Sequence, residues 1–188
     1  MPAHDLTFVL GGARSGKSAY AEQLALAGPA HTVTYIATAR IADDEFAARV
    51  AHHQARRPPH WLLRETPLEL ASALAAADGP GHCVLIDCLT LWLANFLCPP
   101  EHAAADASAD YPAQLVAFET ALLHATGQII VVSNEIGLGV VPTGALTRQY
   151  VDELGRLNQR IAALSPRVTL MVAGLPLTLK TTPAATDA

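Results

Sequence analysis

The sequence predicts an α/β fold: a mostly parallel sheet with helices on both faces. Three features point to it. Short apolar runs alternate with helical patterns along nearly the whole chain. A glycine-rich loop, Gly11 to Ser18, stands between the first apolar run and the first helix. Finally, residues with distinctive chemistry follow directly on apolar runs, and a parallel sheet collects such residues at its carboxyl edge.

The elements follow in order. Leu6 to Leu10 is a continuous apolar run bounded by Gly11, as a strand buried on both faces requires. A helix begins near Lys17 and stops at Gly28-Pro29. His31 to Ala37 is rich in β-branched and aromatic residues and reads as a second strand. Asp43 opens a helical pattern that runs to about Arg57 and is stopped by Pro58-Pro59. Trp61 to Glu65 is a third strand. Thr66-Pro67-Leu68-Glu69 then has the form of a helix start, with Thr66 as N-cap, Pro67 at the first helical position and Glu69 closing a capping box. His82 to Asp87 is a fourth strand and Leu89 to Leu97 a short helix. Pro99 to Asp110 reads as a loop, Tyr111 to Thr126 as a helix and Gln128 to Ser133 as a fifth strand. A long helix spans Gly144 to Leu164, Arg167 to Ala173 is a sixth strand, and Leu177 to Lys180 adds a short edge strand. One domain over residues 1–180 is expected, followed by a disordered tail at 181–188. The carboxyl rim then holds the Gly11 loop, Thr38-Ala39-Arg40, Glu65, Asp87 and Asn134-Glu135.

The 188 residues are 51% apolar and 15% charged, which suits one globular core. A net charge of -5 argues against a general nucleic-acid binder, although a local nest of amides can still hold an anion. The three cysteines, Cys83, Cys88 and Cys98, lack metal-ligand spacing. Cys83 and Cys88 flank an apolar strand and read as buried thiols in a reducing compartment. Asp5 interrupts any secretory signal, and the longest apolar stretch, Cys83 to Cys98, carries Asp87 and is too short to span a bilayer. The protein is therefore expected in the cytoplasm, with no membrane span.

Gly11-Gly12-Ala13-Arg14-Ser15-Gly16-Lys17-Ser18 matches the phosphate-binding loop pattern in its required context, after a strand and before a helix. Its glycines let successive backbone N–H groups face phosphate oxygens, and the positive end of the helix adds attraction. Lys17 is expected at the β- and γ-phosphates and the Ser18 hydroxyl on Mg²⁺. Asp87, at the end of Cys83-Val84-Leu85-Ile86, is the expected second group at the metal; its alternative is a helix N-cap or a surface acid. These features make the fold class P-loop NTPase-like, of the RecA-like kind. Alone they specify a nucleoside triphosphate and no particular reaction.

On the Asp43 to Arg56 pattern, helical spacing places Glu45, Arg49, His52 and Arg56 on one polar stripe. Arginines one turn before and after His52 favour a neutral imidazole and suit an incoming phosphate. A solvated charged face explains the same pattern, and spacing alone does not choose between the two.

Taken together, several stretches resemble one family. They are the Gly11–Ser18 loop, Tyr35-Ile36-Ala37-Thr38-Ala39, the helix with His52-His53, Asp87-Cys88-Leu89-Thr90-Leu91-Trp92, Ser133-Asn134-Glu135-Ile136-Gly137-Leu138-Gly139-Val140-Val141-Pro142 and Gly155-Arg156-Leu157-Asn158-Gln159. From Phe8 to Lys180 the chain resembles the bifunctional adenosylcobinamide kinase/adenosylcobinamide-phosphate guanylyltransferase family. The resemblance implies two reactions in cobalamin synthesis. A nucleoside triphosphate, ATP or GTP, phosphorylates adenosylcobinamide; GTP then donates GMP to adenosylcobinamide phosphate through a guanylylated histidine, which by position is His52. It also implies nucleotide contacts from the Gly11–Ser18 loop, Thr38, Ala39, Arg40, His53, Gln54, Ala55, Arg56, Glu65 and Asp87, with Mg²⁺ as cofactor and a homotrimeric assembly. Glu65 and Asp87 either accept from the guanine edge or hold metal. The Gly137-Leu138-Gly139 loop either shapes the corrinoid end of the site or is a turn leading into a helix. Arg156, Asn158 and Gln159 serve either a subunit interface or the site. A P-loop small-molecule kinase without nucleotidyl transfer is the alternative function, and a nucleotide-driven regulatory module a more distant one.

Overall fold

The computed structural model describes residues 5–40, 57–99 and 110–181. Seven strands form one sheet: β1 Leu6–Gly11, β2 Thr32–Ala37, β3 Leu62–Glu65, β4 His82–Asp87, β5 Gln128–Asn134, β6 Arg167–Val172 and β7 Leu175–Thr181. The described residues include five helices: α1 Lys17–Ala27, α2 Leu70–Ala77, α3 Leu89–Leu97, α4 Tyr111–His124 and α5 Ala145–Leu164. The strand order is β3-β2-β4-β5-β1-β6-β7. All neighbours pair in parallel except the β6–β7 hairpin. One strand, β5, thus separates the loop-bearing β1 from the Asp87-bearing β4.

Period-two alternation divides the sheet between two cores. Leu6, Phe8, Leu10, Ile36, Val84, Ile86, Ile129 and Val131 face one side, where α2, α3, α4 and α5 cover them. At its centre Trp92 packs edge-on to Phe96 at 5.4 Å and tilted against Phe118 at 5.6 Å, pairs worth about 0.5–1.5 kcal/mol each beyond burial. Val9, Val33, Tyr35, Leu85, Ile130, Val132 and Met171 face the other side, where α1 contributes Ala21 and Ala25 and the loops contribute Trp61 and Cys88. Cys83 and Cys88 are buried, and desolvation pushes each thiol up to about 12, so both stay neutral. Cys98 is exposed.

Two expectations need correction. The Thr66 capping box does not form: α2 starts at Leu70, with Glu69 as an N-cap that makes no side-chain cap bond. Tertiary bonds claim the intervening backbone first. Thr66 N–H donates to Ala37 O at 2.8 Å, Pro67 O accepts from Asn95 Nδ2 at 2.9 Å, and Leu68 O accepts from Trp92 Nε1 at 2.7 Å. The last strand is also longer than the expected Leu177–Lys180. It begins at Leu175 because the turn at Ala173 and Gly174, with φ of 52° and 81°, folds β7 back along nearly all of β6. Two successive left-handed residues match the twist of a tight hairpin. The Asp43–Arg56 helix and most of the Pro99–Asp110 loop lie outside the described residues.

Asp78, just past α2, holds the start of β5. Its carboxylate accepts from Thr126 N at 2.9 Å, Thr126 Oγ1 at 3.1 Å and Gly127 N at 2.8 Å. A side chain at Gly127 would place its Cβ 2.6 Å from His82 O and 2.7 Å from Gly79 O, both rigid backbone. Gly127→Ala is therefore expected to destabilise the fold by about 1–3 kcal/mol. Thermal unfolding followed by circular dichroism should show a midpoint lower by roughly 2–10 °C.

Candidate functional site at the carboxyl edge of the sheet

Register places the strand ends together. Gly11 lies opposite Asn134 and Met171, Ala37 opposite both Glu65 and Asp87, and Asp87 opposite Val132. With β5 between them, the ends of β1 and β4 are about 10 Å apart, two interstrand spacings. The expected rim is assembled: the Gly11 loop, Thr38–Arg40, Glu65, Asp87 and Asn134–Glu135 all leave the sheet on this edge.

The loop is tightly wound. Ser15 N–H donates to Gly12 O at 3.2 Å, Gly16 adopts φ 92°, and Arg14 takes a left-handed φ of 58°. Helix α1 then begins at Lys17 with no side-chain cap on its N-terminal amides. The loop rests on two neighbours. Gly174 N–H of the β6–β7 turn donates to Ser15 O at 3.0 Å, and Glu135 N–H donates to Gly11 O at 3.1 Å. Gly11 is confined: an added Cβ would stand 2.4 Å from Ser15 Oγ and 2.9 Å from Met171 O. The Lys17 ammonium donates to Gly12 O at 3.2 Å, lying over the loop itself. Ala13 and Arg14 are exposed, Gly12, Gly16 and Ser18 are half-buried, and the Ser15 hydroxyl is buried with no hydrogen-bond partner among the described residues.

The remaining rim residues divide into braces and open groups. Thr38 is fully buried. Its hydroxyl accepts from Cys88 N–H at 3.0 Å and donates to Cys88 O at 2.7 Å, while its carbonyl accepts from Asn95 Nδ2 at 2.8 Å. It ties β2 to the β4–α3 turn and leaves Ala39 and Arg40, both half-buried, at the rim. Thr90 does the same for β5: its hydroxyl accepts from Asn134 N–H at 2.8 Å, and its carbonyl accepts from Tyr150 OH at 2.7 Å. Asn158 Nδ2 donates to Asn134 O at 3.0 Å, so this residue of α5 supports the rim from behind. Arg156 and Gln159 are exposed, with Arg156 paired to Glu153 at 2.6 Å. Glu65 is exposed, at the sheet edge.

Asp87 is neither a helix cap nor a free surface acid, since Cys88 occupies the N-cap position of α3. Instead its Oδ2 accepts from Tyr35 OH at 2.9 Å. Burial first, and then the Asp87 charge, raises the Tyr35 phenol well above its usual value, so it stays protonated and donates. The Arg57 guanidinium covers the Tyr35 ring at 3.4 Å from its centroid, within cation–π range. Neither Tyr35 nor Arg57 was marked by sequence as more than a structural residue. The available signal was a tyrosine in a strand buried on both faces, whose hydroxyl needs a partner. His52, His53, Gln54, Ala55 and Arg56 lie outside the described residues.

Among the described residues, no three His, Cys, Asp or Glu side chains gather into a metal cluster, and no helix is long and apolar enough to cross a membrane. What the edge does present is a wound amide loop, one lysine, one serine at the first helical turn and a half-buried carboxylate. That donor set fits a cation shared with nucleotide phosphates, because Mg²⁺ is commonly held by one or two protein oxygens plus phosphate oxygens.

Solved structures share the architecture. The assembled ATPase EscN of the enteropathogenic E. coli type III secretion system superposes with a TM-score of 0.55 at 12% identity, over 90% of this chain and 43% of that one. The flagellar accessory protein FlaH from Methanocaldococcus jannaschii gives 0.51 at 14% identity, over 96% of this chain and 80% of that one. These likenesses show a P-loop NTPase-like fold and nothing finer. Sequence relatives go further. The chain is 51% identical over 179 residues to the bifunctional adenosylcobalamin biosynthesis protein CobP of Pseudomonas aeruginosa, covering 93% of this chain and 97% of the relative. It is 39% identical over 184 residues to the bifunctional adenosylcobalamin biosynthesis protein CobU of Salmonella typhimurium, covering 93% and 99%. The family model described as cobinamide kinase / cobinamide phosphate guanyltransferase matches residues 7–179. With a match along almost its entire length, the chain belongs to the cobinamide kinase / cobinamide phosphate guanyltransferase family.

Proposed function

We propose that this edge of the sheet carries out both family reactions on one nucleotide site, with His52 as the covalent relay. The observation that supports this most is the intact, tightly packed Gly11–Ser18 loop on the rim that also carries Asp87, in a chain matched to the family from residue 7 to 179. In the kinase reaction the hydroxyl oxygen of adenosylcobinamide attacks the γ-phosphorus of ATP or GTP. The bond from that phosphorus to the bridging oxygen breaks, and the nucleoside diphosphate leaves. In the transferase reaction a neutral His52 nitrogen attacks the α-phosphorus of GTP, forming an N–P bond as pyrophosphate leaves. A phosphate oxygen of adenosylcobinamide phosphate then attacks the same phosphorus, the N–P bond breaks, and adenosylcobinamide-GDP is released. Covalent relay divides one difficult displacement into two easier ones.

Each residue has a stated task in this reading. The loop amides from Gly11 to Gly16 and the Lys17 ammonium neutralise phosphate charge, so Lys17 must leave Gly12 O when nucleotide binds. Ser18 and Asp87 would hold Mg²⁺, which supplies Lewis-acid neutralisation of the phosphate oxygens. Ala39, Arg40 and Glu65 surround the nucleotide from the β2–β3 end of the rim, with Thr38 bracing them. His53 to Arg56 complete the contacts. The chain position of His52 supports its role: it stands five positions before Arg57, which packs on Tyr35 in β2, a reach of at most about 18 Å. Corrinoid binding is assigned to the loop after β5, where Leu138, Val140 and Val141 are 83%, 96% and 73% exposed. That apolar surface, with Leu175, Leu177 and Leu179 on the edge strand, also suits subunit contacts in a homotrimer working in the cytoplasm.

Incubation with Mg²⁺ and GTP radiolabelled at the α-phosphate should leave an acid-labile, alkali-stable label on the denatured wild-type chain and none on His52→Ala. A folded, GTP-binding wild type that takes no label would instead leave a P-loop kinase without nucleotidyl transfer. Lys17→Ala should lower kcat/KM of both reactions by about 10²–10³ while the protein stays folded, as steady-state assays can check. Gly11→Ala should weaken GTP binding at least tenfold in calorimetry, because the new methyl group displaces Ser15 and the β6 backbone. Light scattering should return three times the 19.8 kDa chain mass.

A further inference from the structure

We infer that Tyr35 is a positioning residue for nucleotide-bound metal, acting through Asp87 and never touching substrate itself. The inference rests on the proposal above that Asp87 faces the magnesium of the bound nucleotide. Tyr35 is only 2% exposed, so it has no route to a ligand on the rim. Its hydroxyl nevertheless reaches the end of the neighbouring strand and donates to Asp87 Oδ2 at 2.9 Å. A carboxylate's last torsion is broad and two-fold, so an aspartate at a strand end does not choose its own orientation. Here a donor on an immobile ring makes the choice. The ring lies in the α1-side core together with Val33, Trp61, Cys83 and Leu85, and its face is covered by Arg57.

The consequence is a division of labour between the two carboxylate oxygens. Oδ2 is held by the protein, and Oδ1, with no hydrogen bond among the described residues, is left for the rim. The guanidinium of Arg57 adds a cation over the face of the same ring, so the partner of Asp87 is itself anchored by charge. Removing the hydroxyl keeps the ring, the core contacts and the Arg57 stack, and frees only the carboxylate. Tyr35→Phe is therefore a selective probe.

The test is calorimetric binding of a GTP analogue with a methylene bridge between its α- and β-phosphates, which cannot transfer GMP. Wild type, Tyr35→Phe and Asp87→Asn are compared in Mg²⁺ and in EDTA. Tyr35→Phe is expected to weaken binding about tenfold in Mg²⁺, the scale of one hydrogen bond to a charged group, and to leave binding in EDTA unchanged. Substituting Mn²⁺, which binds such sites more tightly, should recover part of the loss. Equal weakening in both buffers would show a merely structural role and overturn the inference. So would an undiminished gain from Mg²⁺ in Tyr35→Phe when Asp87→Asn loses it. If Asp87→Asn also keeps the full gain, the assignment of Asp87 to the metal fails, and the Tyr35 inference fails with it.

Discussion

The phosphate-loop architecture of this protein depends on the close packing at the end of β1. Gly11 lies between Asn134 on β5 and Met171 on β6, with Ser15 folded over it. No side chain fits there. Because it is absent, the loop can turn back on itself, take support from Gly174 and Glu135, and deliver its amides to the start of α1. The loop is therefore not an independent anion-binding motif. It is set by three adjacent strands whose register must be correct before its amides converge.

That dependence explains where the polar residues of the rim are used. A parallel sheet ends in unpaired backbone groups at its carboxyl edge, and buried groups there need partners. Thr38, Thr90, Asn95 and Asn158 supply them, each side chain bonding backbone of a different segment. The strand ends become rigid, and among the described residues Lys17, Ser18, Glu65, Asp87 and the loop amides are not used as such braces. Tyr35 performs the same bracing service on a charged group instead of a peptide.

The two faces of the sheet serve different ends. Four helices and the Trp92 cluster cover one face with aromatic and aliphatic packing. On the other, α1 covers the sheet beside β1 with small residues, Ala21 and Ala25. Over Tyr35 the cover is the Arg57 side chain, at the point where the chain returns from the histidine segment. A cation stacked on an aromatic ring is a polar closure of an otherwise apolar core.

Most of the architecture was legible in the sequence because period-two apolar runs and Gly-Pro stops are local signals. β4 and α3 have the expected boundaries, and β1, α1, β2, β5 and β6 lie within a residue or two of them. The phosphate loop was legible for the same reason, since its glycines, Lys17 and Ser18 stand at a fixed spacing in the chain. What failed was local logic against tertiary competition. Thr66, Pro67 and Glu69 have the chemistry of a capping box, but Asn95 and Trp92, distant in sequence, take the carbonyls of that stretch. Ala173-Gly174 lacks the asparagine or aspartate that marks a tight hairpin, so the full edge strand was missed. By itself, then, the sequence determined the strand–helix alternation, the phosphate loop and the family. Only the tertiary structure decided which rim residues are braces, and that Asp87 is held by Tyr35 under Arg57. Those pairings join residues far apart in the chain, and hydrogen bonds set by strand register leave no periodic trace in either partner's neighbourhood.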